Sequence, residues 1–224
     1  MLKIKLFLIL IIITSSTELC AQSSIQDDLK NFISGEKLKF TTADHSKSRG
    51  LNIQIDIPKN WKMKEGERPH IVQKFSSAGA KGIVKVATIH ISSLPSELKG
   101  FSDKEITEVF FDPDFSEEIL PEKSKLIIAK PTEYDGEPGI FVYYLTQTSR
   151  AGLDFSGIVV SHRFFYQKAM VDISITYSVL ISPTQEKISQ QQCETFLKLA
   201  IQIGNSIVLP DKYKFNKSKT DVKP

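Results

Sequence analysis

Residues 155–180 read FSGIVVSHRFFYQKAMVDISITYSVL, and the two halves of this stretch carry different hydrophobic patterns. From Ala169 to Leu180, Val171, Ile173, Ile175, Tyr177 and Val179 are apolar, while Asp172, Ser174, Thr176 and Ser178 between them are polar. Such strict alternation predicts a strand with one dry face and one wet face. From Phe155 to Tyr166, Ile158, Val160 and Phe164 fall on one face and Phe155, Val159 and Phe165 on the other. A strand apolar on both faces has to be covered twice, so it belongs in the middle of a sheet with a layer on each side. Gln167-Lys168 fits a two-residue hairpin loop between them. That register sets Tyr166 opposite Ala169, Arg163 opposite Asp172, His162 opposite Ile173 and Ser161 opposite Ser174. A three-residue loop would slip the pairing by one and mismatch the faces.

The same reasoning extends outward. Leu126 to Thr132 and Ile140 to Ser149 are rich in β-branched and aromatic residues, and "YDGEP" and "RAGL" read as their hairpin connections. Upstream, Lys37 to Thr42, Leu51 to Ile57, His70 to Ser76 and Gly82 to Ser92 are strand candidates. Ser24 opens a short amphipathic helix over 24–34, with Ile25, Leu29, Phe32 and Ile33 on one face and Gly35 as its stop. Ser102 and Glu105 form a capping box before Ile106, Val109 and Phe110. The acidic stretch "DPDFSEEILPE" reads as an irregular, solvated loop. Ser182 as N-cap, Pro183 at the first helical position and Gln185 predict a final helix. Cys193, Phe196, Leu197, Ala200 and Ile203 make its buried stripe, and Trp61, just after the turn at Pro58, is expected to close the core. The resulting fold class is α+β: a mostly antiparallel sheet with helices on both faces, in one domain over 22–210, followed by a flexible tail over 211–224.

The N-terminus has the layout of a secretory signal peptide over 1–21: Lys3 and Lys5, an apolar run from Leu6 to Ile13, then a small and polar stretch ending at Ala21. The run is too short to span a bilayer, so no stable membrane span is expected after cleavage. Periplasmic or secreted placement follows. Lipid attachment at Cys20 is disfavoured, because Thr17, Glu18 and Leu19 put the large aliphatic residue in the wrong place. The formal net charge is +3. Removing Lys3, Lys5 and Glu18 leaves 27 basic and 25 acidic residues, or +2, which gives no footprint for nucleic acid. Cys193 would then be the sole thiol, so stability must come from a hydrophobic core rather than an internal disulfide.

Catalytic signatures are thin. His45, His70, His90 and His162 lie outside any metal-ligand or triad motif. His162 is in phase with Val160 and Phe164 and reads as a core histidine. His70 and His90 fall on neighbouring strands without a third ligand in view. Asp112, Asp114, Glu117, Glu118 and Glu122 lack the glycine and spacing of a calcium loop. No nucleophile elbow or phosphate-cradling glycine loop occurs. Catalytic, cofactor and metal assignments are therefore none. The one surface singled out is the polar strip Ser161, Arg163, Asp172, Ser174 and Thr176, read as a recognition surface against the plainer reading of an ordinary solvated face.

"IQIDIPKNWK" at 53–62, a strand followed by Pro-x-x-Trp, is similar to the start of PsbP-like domains. "YDGEPGIFVYYL" at 134–145 looks like their central hairpin. The resemblance covers roughly Lys37 to Leu209. It implies an α/β/α sandwich around an antiparallel sheet and a non-enzymatic accessory or binding role with a protein partner, as in photosystem accessory proteins, a Ran-binding relative and exported bacterial DcrB-type proteins. No functional residue of that superfamily maps onto a position here. The other function class left by the sequence is a small-ligand carrier or an enzyme with a pocket at the sheet.

Overall fold

The computed structural model describes residues 24–79, 82–94, 100–150, 152–181 and 188–214. The predicted signal peptide, Cys20, the Ser182–Gln185 start signals and the last ten residues lie outside them. The described chain forms helix α1 (Ile25–Ile33), strands β1 (Lys37–Thr41), β2 (Gln54–Pro58), β3 (Lys62–Glu65), β4 (Ile71–Ala78) and β5 (Val84–Ser93), helices α2 (Asp103–Phe110) and α3 (Pro113–Glu118), strands β6 (Ser124–Tyr134), β7 (Glu137–Arg150), β8 (Leu153–Tyr166) and β9 (Ala169–Leu180), and helices α4 (Gln190–Gly204) and α5 (Asp211–Lys214).

Seven strands make one sheet in the order β3-β4-β5-β9-β8-β7-β6, antiparallel throughout. β1 and β2 pair in a separate two-stranded ribbon, so two of the predicted strands belong to a covering layer rather than to the main sheet. The ribbon is anchored by Phe40, whose ring meets Phe75 of β4 edge-on at 5.2 Å. With α1 and α4 it covers one face, hereafter the α4 face. There Ile53, Ile55, Ile57, Phe75, Ile89, Ile173, Ile175, Phe196, Leu199 and Ile203 are buried in one core. A smaller core on the opposite, α3 face joins Phe110, Phe111 and Leu120 to Ile140, Val142, Tyr144, Val159 and Phe165. Helices thus lie on both faces, as the doubly apolar β8 requires.

The predicted hairpin register is the observed one: Tyr166 pairs with Ala169, Arg163 with Asp172, His162 with Ile173 and Ser161 with Ser174. Gln167 and Lys168 have φ of 49° and 61°, the left-handed pair that a tight two-residue loop needs. Trp61 is buried, and its Nε1–H donates to Asp28 Oδ2 at 3.1 Å. The same carboxylate accepts from Lys85 Nζ at 2.6 Å and, through Oδ1, from Asn60 Nδ2 at 2.9 Å. Asp28 and Lys85 have no solvent-exposed side-chain surface. An ion pair inside the core therefore fastens α1 to β5.

Four expectations need correction. Within "DPDFSEEILPE" the chain forms α3, with Asp112 Oδ1 accepting from the N–H of Asp114 and Phe115 and a proline opening the helix. The final helix begins at Gln190, after Ser189 in extended conformation. Ser189 and Gln192 make the capping box, so a continuous helix from Pro183 is excluded. Leu199, not Leu197, sits at the centre of its buried stripe, and Cys193 is half-buried on the flank. Lastly, the folded chain continues to Lys214. Asp135, in the β6–β7 turn, accepts from the Leu209 N–H at 2.7 Å, the Lys212 Nζ at 2.8 Å and the Tyr213 hydroxyl.

Candidate recognition surface

Side chains on a strand alternate between faces, so the odd positions of β8 and the even positions of β9 and β5 share the α3 face. The register places them in rows across the sheet. His90 of β5 is opposite Asp172 of β9, which is opposite Arg163 of β8. The next row runs Lys74, Thr88, Ser174, Ser161, and the one after it Ser76, Val86, Thr176, Val159, Tyr144.

The predicted strip is brought together by this geometry. Asp172 Oδ1 accepts from the hydroxyls of Ser161 at 2.7 Å and Ser174 at 2.8 Å. Its Oδ2 lies 3.5 Å from Arg163 Nε, which also donates to the Ser161 hydroxyl at 2.9 Å. The strip is drier than expected: Ser161 is buried, and the Arg163 and Asp172 side chains keep 12% and 24% of their exposure. Phe110 and Phe111 pack over Phe165, two residues along from Arg163, and draw cover across this end of the face. Arg163 Nη1 is buried without a hydrogen-bond partner among the described residues. Thr176 stands apart from the network, in the floor of a neighbouring groove.

That groove, about 600 Å³, crosses the part of the sheet that α2 and α3 leave open. Its floor is Val84, Val86, Thr88, Tyr144, Thr146, Val159, Thr176 and Ser178. Arg68 of the β3–β4 connection and Ile71 at the start of β4 bound one side, and Pro121 after α3 bounds the other. Burial pushes the Tyr144 hydroxyl up to about 12, so it stays a neutral donor. Burial also lowers the His90 pKa, against the opposing pull of Asp172 and with help from neighbouring His70 and Arg68. His90 Nε2 meets the Thr88 hydroxyl at 2.9 Å. The row His90–Asp172–Arg163 combines the residue types of an acid–base site, but both Asp172 oxygens are engaged by serines and arginine. His70 and His90 do meet, with rings 5.6 Å apart, and among the described residues no group of three or more His, Cys, Asp or Glu is placed to hold a metal.

Sequence reasoning missed the groove lining, because Arg68, Lys74, Thr88 and His90 come from two other strands and a connection. Their phase was readable: Thr88 and His90 alternate with Ile89 and Ile91, whose side chains are buried on the α4 face. A second cavity, about 530 Å³, lies on the α4 face between α4 and β6–β7, lined by Ile128, Phe141, Leu197 and Ile201 over Tyr134 and His162.

No protein-family model matches the chain, and no curated protein matches it in sequence. Solved structures resemble it in fold. The cyanobacterial PsbP protein of Synechocystis aligns at 12% identity over 78% of this chain and 92% of its own, with a TM-score of 0.45. LpqN of Mycobacterium tuberculosis, involved in cell envelope biogenesis, aligns at 12% identity over 84% and 98%, TM-score 0.44. The Ran-binding protein Mog1p of Saccharomyces cerevisiae aligns at 9% identity over 79% and 98%, TM-score 0.46. A PsbP protein is thus among the structures that align with the chain, and PsbP-like domains are what the Ile53–Lys62 stretch and the Tyr134–Leu145 hairpin resemble.

Proposed function

We propose that this chain is an exported, non-enzymatic accessory or binding module that recognises a protein partner through the α3 face of its sheet. The observation that carries this reading is the fixed polar row of Ser161, Arg163, Asp172 and Ser174 beside a groove, floored by Thr176, that the described residues leave open. A row of side chains locked by its own hydrogen bonds loses little entropy when a partner docks, which favours recognition. The signal layout of residues 1–21 supports placement in the periplasm or outside the cell. No described helix is long and apolar enough to cross a membrane.

The groove's volume favours a second reading, a small-ligand carrier, since pockets of several hundred Å³ suit such ligands. Affinity capture from an envelope extract of the source cells separates the two. Thr176→Arg, which fills the groove floor, should abolish capture of a defined protein, whereas Lys39→Glu on the outer ribbon should not. Capture that survives Thr176→Arg would contradict the recognition reading. Recovery of only a small molecule would favour the carrier.

A further inference from the structure

The groove has an uneven charge lining. Among the described residues that line it the ionisable side chains are Arg68, Lys74, His90 and Tyr144, and none is a carboxylate. Around it, β3 places Lys64 directly opposite Lys74, and His70 stacks on His90. Like charges facing across a strand pair are destabilising. Glu67 relieves the pair from outside the groove: it meets Lys64 at 2.8 Å and also feels the charge of Lys74, while among the described residues no carboxylate lies within ion-pair distance of Lys74. The other nearby carboxylate, Asp172, is turned toward Ser161, Ser174 and Arg163. Beyond this cationic end the floor alternates valines with hydroxyls: Val84, Val86 and Val159 among Thr88, Thr176 and Ser178.

We infer that the groove receives an acidic, extended segment of the protein partner, with carboxylates set against Arg68 and Lys74 and apolar side chains over the valine floor. This rests on the reading of the α3 face as a recognition surface and names the chemistry of what it recognises. The feature that an acidic ligand matches is the lining itself, with Arg68 and Lys74 at one end and no carboxylate among the described lining residues. Removing the Lys74 charge should harm the binding without harming the fold.

The test is fluorescence anisotropy with a short fluorescein-labelled peptide alternating glutamate with valine, beside the same peptide with glutamine in place of glutamate. The glutamate peptide should bind, and the glutamine peptide should bind at least about tenfold more weakly. Lys74→Glu and Arg68→Glu should each weaken the glutamate peptide by about tenfold, and raising the salt to about 0.5 M should weaken it further. Lys74→Glu should also unfold at the same or a higher temperature, because it now faces Lys64 with opposite charge. Equal binding of both peptides, or unchanged binding by both variants, would overturn the assignment. Complete displacement by inorganic phosphate would make this a small-anion site and also overturn it. If cell-extract capture is lost with Thr176→Arg yet unaffected by Lys74→Glu, the acidic chemistry is wrong while the recognition surface stands. If Thr176→Arg leaves capture intact, the surface itself is wrong.

Discussion

His162 is buried on the α4 face between two glycine-permitted contacts. Its Nε2 lies 3.0 Å from the Ala200 carbonyl and must carry the proton, since a carbonyl only accepts. Nδ1 then accepts from the Tyr134 hydroxyl at 2.9 Å. A Cβ on Gly204 would stand 2.2 Å from the imidazole, and one on Gly139 2.8 Å from the Tyr134 ring, so glycine at both places lets helix and strands close on the pair. Burial holds the His162 pKa down at about 4, against about 6.5 in an unfolded chain. Between those values the unfolded state binds the extra proton, so stability rises with pH through the window. The contribution is intact above pH about 6.5 and falls by about 3 kcal/mol by pH about 4. Urea unfolding of wild type and His162→Leu across this range checks it: the variant's curve should be flatter. Parallel curves would show that His162 is not the group responsible. Trp61 is the other residue whose loss should be costly. Trp61→Ala removes a buried ring and a donor to Asp28, and chemical denaturation should show a loss of about 3–5 kcal/mol.

Among the elements, the β8–β9 hairpin was the most legible, because its apolar phase, its loop length and its turn chemistry agree. Its loop is not optimal. Gln167 and Lys168 hold left-handed φ without being glycine or asparagine, at a cost of about 1–2 kcal/mol per residue. Replacing the pair with Asn-Gly should therefore raise the unfolding midpoint, and a lowered midpoint would show that the two side chains make compensating contacts. β3 was invisible in sequence because Lys62–Glu65 is exposed along its whole length and shows no apolar alternation. α3 was invisible because six residues are too few to display a helical period, although Asp112-Pro113 is a proper start signal. The start of α4 was misplaced for a different reason. Ser182 to Gln185 and Ser189 to Gln192 both spell Ser-x-x-Gln, and only the second is seen capping the described helix. The half-buried Cys193 follows from the rotated stripe. Burial raises its thiol pKa, so labelling in the native state should be slowed several-fold relative to denaturant. Equal rates would place α4 away from the sheet.

At the scale of the molecule, the sandwich is held by apolar layers but registered by one buried charge pair. Asp28 lies three residues after Ile25 on the apolar side of α1, and Lys85 is in phase with Ala87, Ile89 and Ile91. Both therefore point inward, a signal present in the sequence and overridden by the general rule that charges face water. Removing either partner alone, by Asp28→Leu or Lys85→Met, should destabilise by about 3–5 kcal/mol, and removing both should cost much less than the sum. Additive losses in denaturant titrations would mean the two charges act independently. The strip Ser161, Arg163, Asp172, Ser174 and Thr176 was legible because one hairpin supplies all of it. The groove beside it was not, since it exists only once β4, β5 and β7 lie next to that hairpin. The most direct test of the α3 face is an NMR chemical-shift map recorded as the captured partner is added. The account predicts perturbations at Lys74, Thr88, His90, Asp172, Thr176 and Ser178, with the α4 face silent. Perturbations centred instead on Ile128, Leu197 and Ile201, beside the cavity between α4 and β6–β7, would contradict it.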